Sequence, residues 1–128
     1  MKRAHKDLEV WKEGMQLAAS IYAVTEKFPK SEIYGLTSQM RRAAVSVPSN
    51  IAEGAARFSV KEFMQFLNIA GGSLSELDTQ ITLAATLGFL ALDQCAELDK
   101  KVEKTSSLLA GMIRSVRKKI NGVNVKGG

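Results

Sequence analysis

The chain has 128 residues, of which 45% are hydrophobic, enough for one core and too many for a wholly disordered chain. Cys95 is the single cysteine, so no intramolecular disulfide can form and a reducing compartment fits. The net charge is +5 and unevenly spread: Lys2, Arg3 and Lys6 open the chain without an acid, Arg114, Arg117, Lys118, Lys119 and Lys126 close it, and Glu62 to Asp99 holds six acids and no base.

Basic ends of this kind can hold phosphate. They also serve solubility and suit the negative end of a helix dipole. Asp7, Glu9 and Glu13 interrupt any apolar run near the start, which argues against a signal peptide. The longest uncharged run, Thr79 to Leu92, falls short of the roughly 20 residues that span a bilayer. These features predict a soluble, cytoplasmic protein with no membrane partner. Few prolines and aromatics, with abundant Leu, Ala, Met, Glu, Lys and Gln, favour helix.

The first helix is predicted over about 7–27. Leu8, Trp11, Met15, Ala18, Tyr22 and Thr25 alternate steps of three and four, so that stripe is the expected core face, and core packing is preferred over a binding surface for Trp11 and Tyr22. Phe28-Pro29 ends it, because the residue before proline is biased away from helix.

The second helix is predicted over about 37–57. Met40, Ala44, Val47, Ile51 and Ala55 form one side. Arg42, Ser46, Ser49, Asn50, Glu53 and Arg57 form the other, with Gln39 extending it. Pro48 interrupts the pattern and withholds a hydrogen bond from the Ala44 carbonyl. The pattern predicts one kinked helix, or else two short ones broken near Val47. Arg42 and Glu53 share a helical angle but sit about three turns apart, too far to pair. The polar stripe is either a solvated face or a polar contact surface, for phosphate groups or for another subunit, the oligomer-interface candidates being Arg42, Ser46, Ser49, Asn50 and Glu53, with small side chains suited to close contact.

Ser59-Val-Lys-Glu62 fits a capping box and opens a third helix over about 59–88. Phe63, Leu67, Ala70, Leu74, Leu77, Ile81, Ala84 and Gly88 repeat along it. Gly71-Gly72 in its middle implies either close approach of another backbone or a local distortion. Asp93 is the expected cap of a fourth helix over about 93–121, with Cys95, Leu98, Val102, Thr105, Leu109, Met112 and Val116 inside and Asn121-Gly122 as its stop. Residues 1–6 and 122–128 are expected to be flexible tails. Short connections predict a single all-α domain over 1–128, an antiparallel up-down-up-down four-helix bundle.

His5 is the only histidine, so neither a di-iron Glu-x-x-His set nor a zinc set can be assembled, and no triad is convincing. No phosphate loop or dinucleotide fingerprint is present. Cys95 lies on an apolar stripe and is expected to behave as a small buried hydrophobe. No cofactor is expected, and the chain is not expected to be an enzyme.

Asp7-Leu-Glu-Val-Trp11, Ile21-Tyr22, Phe28-Pro29, Tyr34-Gly-Leu36, Gln39-Met-Arg-Arg-Ala43, Ser46-Val-Pro-Ser-Asn-Ile-Ala-Glu-Gly54 and Ser73-Leu-Ser-Glu-Leu77 carry a family resemblance over nearly the whole chain. The chain resembles the four-helix bundle proteins encoded in intervening sequences of bacterial 23S ribosomal RNA genes, called ribosomal-protein-like by name. The accessory variability determinant proteins look similar. The resemblance implies an all-helical protomer in a ring-like homopentamer. By analogy with the second group, it implies a basic surface for nucleic acid.

The functional expectation is therefore a homo-oligomeric scaffold that binds RNA or DNA, structured RNA foremost. Arg41, Arg42 and Arg57 are the candidate contacts on the body. Lys2, Arg3, Arg114, Arg117, Lys118 and Lys119 are the candidates at the ends. The rival expectation is a protein-interaction scaffold with no nucleic-acid role.

Overall fold

The computed structural model describes the backbone of residues 4–127 and the side chains of residues 4–122. Within them lie four α-helices and no strand: α1 (Glu9–Thr25), α2 (Leu36–Ala55), α3 (Val60–Thr86) and α4 (Leu92–Gly127). Short 3-10 turns occupy Ala4–Asp7 and Lys30–Glu32. His5, in the first of these turns, meets Trp11 edge-on with ring centroids 5.0 Å apart.

Three helices bury the stripes that their periodicity picks out. Met40, Ala44, Val47 and Ile51 of α2 are fully buried, as are Leu67, Leu77 and Ile81 of α3. Leu98, Thr105, Leu109 and Val116 of α4 join the same core. α1 departs from expectation. It buries Val10, Gly14, Leu17 and Ile21 together with Ala18 and Thr25, while Met15 stays 46% and Tyr22 43% exposed. α1 carries two apolar stripes one residue, or about 100°, apart. Periodicity alone does not say which one meets the bundle centre. Gly14 decides part of it by letting α2 approach: a Cβ there would lie 3.5 Å from Pro48 and Val47.

Pro48 sits inside one continuous α2. The Ala44 carbonyl that it cannot serve is shut away from water, because Ala44 is fully buried.

The helix ends follow local chemistry. Ser59 Oγ accepts from the Glu62 N–H at 3.3 Å, as a capping residue should. Gly88 adopts φ 81° and ends α3: its N–H donates to the Ala85 carbonyl and the Phe89 N–H to the Ala84 carbonyl. That pair of bonds is a Schellman motif. α4 begins one residue before Asp93, and the Ala91 N–H donates to Gln94 Oε1 at 2.9 Å. The cap is therefore the glutamine reaching back, with Asp93 in the first turn favourably placed for the dipole. Asn121-Gly122 does not stop α4, which continues to Gly127. Among the described residues only Gly88 takes the left-handed conformation that such a stop uses.

α1 packs on α2 and α4, and α3 packs on α2 and α4. Cross-helix neighbours fall in reverse order along both partners of α2. Gly54 meets Phe63 and Phe66, while Ser46 meets Ser73. Gly14 meets Pro48, while Thr25 meets Arg41.

Candidate functional site

The second helix carries the sequence-marked polar residues, and its neighbours divide them. Ser46 and Asn50 lie toward α3. The hydroxyls of Ser46 and Ser73 share a hydrogen bond at 2.8 Å. Asn50 Nδ2 donates to the Ser46 carbonyl at 2.8 Å and to its hydroxyl at 2.9 Å. Both residues are half-buried, so their polar groups are engaged within the protomer. Arg42, Ser49, Glu53 and Arg57 remain exposed. Arg57 pairs with Glu53 at 2.9 Å and lies over the Phe66 ring, 5.0 Å from its centroid.

Arg41 turns the other way. Its Nε donates to Thr25 Oγ1 at 2.9 Å, and its Nη2 reaches the Tyr22 carbonyl and Glu26 Oε2, both at 3.4 Å. The guanidinium also covers the Tyr22 ring at 4.6 Å. A planar fork that stacks and donates at once suits this bracket between α1 and α2. Neighbouring Arg42 makes no ion pair among the described residues.

Beside the bracket, the α1–α2 surface opens. One hollow of about 390 Å³ is walled by Trp11, Met15, Tyr22, Val45, Pro48 and Ala52. A second, of about 410 Å³, shares Tyr22 and Val45 and continues past Arg41 and Arg42 to Ile33. Together they form a trough, apolar at one end and basic at the other. The sequence reading preferred the core over a binding surface for Trp11 and Tyr22 and placed Met15 on the same core stripe. The signal that could have found the trough is the competing Val10-Gly14-Leu17-Ile21 stripe.

A hollow of about 540 Å³ between α3 and α4 is lined by Asp78, Asp99 and Glu103 with Thr82, Ser106 and Ser107. Nearby Cys95 is half-buried, with Sγ 3.9 Å from Asp99 Oδ2. Burial, and then the charge and hydrogen bond of Asp99, push the thiol pKa up, so the nucleophilic thiolate is disfavoured. Among the described residues no group of three His, Cys, Asp or Glu is placed to hold a metal. No described helix is long and apolar enough to cross a membrane.

Near the end of α4, Arg114, Arg117, Lys118 and Lys119 are all exposed. Arg114, Arg117 and Lys118 share one side by their three-four spacing, and Lys119 lies about 100° further round. Lys2 and Arg3 lie outside the described residues. No other backbone comes close to the glycine pair of α3 within the protomer: the helix runs through both residues, a Cβ at Gly71 would lie 3.7 Å from the Leu109 side chain, and one at Gly72 would meet nothing within 4 Å.

A family model described as 23S rRNA-intervening sequence protein matches residues 6–111. The fold is similar to the crystal structure of a protein of unknown function from the S23 ribosomal protein family of Bacteroides thetaiotaomicron VPI-5482. The TM-score is 0.76 at 20% sequence identity, over 82% of this chain and 95% of that one. At that identity the likeness speaks for the fold alone. Comparison with curated proteins gives no match.

Proposed function

The chain belongs to the 23S rRNA-intervening sequence protein family, and from that premise we propose a non-enzymatic, cytoplasmic, homo-oligomeric bundle that binds nucleic acid, structured RNA foremost, through its basic surfaces. The helices are read as an antiparallel up-down-up-down bundle, which the reversed order of cross-helix neighbours supports. The proposed assembly is a homopentamer.

One observation carries the nucleic-acid reading. In that topology the first turn of the chain, the α2–α3 connection and the latter part of α4 come to the same end of the bundle. On that reading Lys6, Lys61 and Arg57, the last still exposed though paired with Glu53, gather with Arg114, Arg117, Lys118 and Lys119, all of them exposed. A basic surface without a groove-reading motif suits phosphate contact more than base reading. Arg41 stands apart from this site, because its donors are engaged by α1.

The test is fluorescence anisotropy of a labelled structured RNA at several salt concentrations. Wild type is expected to bind with a steep negative log–log salt slope. Replacing Arg114, Arg117, Lys118 and Lys119 by Gln is expected to flatten that slope by about 3, at roughly 0.7–0.9 per phosphate contact. An unchanged slope moves the contact away from α4, and absence of binding removes the nucleic-acid role. The trough between α1 and α2 favours a second reading, a protein-interaction scaffold, which that second result would leave standing.

A further inference from the structure

We propose that the α1–α2 trough receives the outer ridge of α3 from a second copy of this chain, with Arg42 paired to the second copy's Glu76. The inference rests on the oligomer reading above and assigns the two surfaces that would meet.

The apolar end of the trough is a contiguous surface, and such surfaces, unlike scattered apolar residues, mark contacts. Met15, Tyr22 and Val45 in its walls are each more than 40% exposed. A complementary surface lies on the same chain. Ile69, Gly72, Glu76 and Leu83, continued by the C-cap residue Leu87, recur at helical spacing along one side of α3, and all are exposed. Ile69, Leu83 and Leu87 are 50%, 46% and 52% exposed, so this side presents a second apolar stripe that the protomer does not cover.

Gly72 lies between them and has no packing reason to be glycine within the protomer, since a Cβ there would meet nothing within 4 Å. In a helix interior it costs about 1 kcal/mol relative to alanine. It lowers the ridge where an incoming wall would press closest.

Charge complementarity selects a second copy as the occupant. The basic end of the trough presents Arg41 and Arg42. Arg41 is engaged by Thr25 and Glu26, whereas Arg42 has no ion-pair partner among the described residues. The ridge carries Glu76, within a stretch that holds six acids and no base. Trough and ridge use different residues, so each copy offers one of each. Association is then head-to-tail, which closes into a ring when the rotation permits.

Light scattering on the full chain tests this. Wild type is expected to exceed the 13.9 kDa protomer mass, and Val45→Asp and Leu83→Asp are each expected to fall to it. Mixing those two variants is expected to give a species of twice that mass and no larger, because only one competent trough and one competent ridge remain per pair. Arg42→Glu and Glu76→Arg are each expected to weaken assembly, and the double variant to recover it. Circular dichroism confirms that each variant is folded, and Met15→Asp replaces Val45→Asp where it is not. Wild-type mass in either aspartate variant, larger species in the mixture, or no recovery in the charge swap overturns the proposal while leaving the oligomer standing. A monomeric wild type overturns both.

Discussion

The two flanks of α2 are built on opposite principles. Toward α3 the seam is closed by small residues. Gly54 lets two phenylalanines lie against the helix, and Ser46, Asn50 and Ser73 satisfy one another in the space that remains. Toward α1 the helices touch at Gly14 and Pro48 and are tied again by Arg41, but between these points the surface stays open and apolar. Packing that is complete serves stability and tolerates little change. Packing left open on a second apolar stripe leaves area for another molecule. Substitution should therefore act through folding on the α3 flank and through assembly on the open part of the α1 flank.

The contrast is sharpest between two helical glycines. A Cβ at Gly54 would lie 2.7 Å from Phe63 Cδ1 and 2.9 Å from Phe66 Cβ. The Phe63 ring can swing, but the Phe66 Cβ moves only with the α3 backbone. Gly54→Val is expected to destabilise the fold by about 3 kcal/mol, measured by urea unfolding. Gly72→Ala meets open space and is expected to stabilise the isolated protomer by about 1 kcal/mol through helix propensity alone. Equal effects at the two glycines would mean that the α3 flank is no tighter than the surface.

Arg41 marks where the open flank is nonetheless tied. Arg41→Ala removes the bond to Thr25 and the cover over Tyr22, and is expected to cost about 2 kcal/mol in thermal or urea unfolding. Arg41→Lys is expected to recover little, because an ammonium cannot stack and donate along two directions as the fork does. A loss below about 0.5 kcal/mol would reduce the bracket to a solvent-screened surface contact.

Much of this contrast was legible in the chain, and the rest was withheld for physical reasons. α2, α3 and α4 each carry one dominant apolar stripe, so periodicity names their cores. The Ser59 cap is local, and a local pattern suffices for it. α1 carries two stripes, and the choice between them depends on how α2 and α4 sit around it. The same dependence hides Arg41. Adjacent arginines look alike in sequence, yet one turns to Thr25 and the other to the surface. Ser46 and Asn50 read as surface residues because a polar side chain facing a serine on the next helix has the same periodicity as one facing water. At the end of α4, Asn121-Gly122 allows a stop without compelling one, and the helix runs on.

The smallest expected effect tests whether those polar residues belong to the seam or only border it. Ser46 bonds Ser73 and also accepts from Asn50, whereas the cross-helix bond of Ser73 is to Ser46 alone among the described side chains. Ser46→Ala is therefore expected to cost about 1 kcal/mol, and Ser73→Ala less. In a double-mutant cycle the pair should couple by roughly 0.5 kcal/mol or more, since residues in contact depart from additivity. Coupling near zero would mean that the two hydroxyls exchange each other for water without loss. The closure of the α3 flank would then rest on Gly54 and its phenylalanines, and Ser46 would return to the set of residues free to meet a partner.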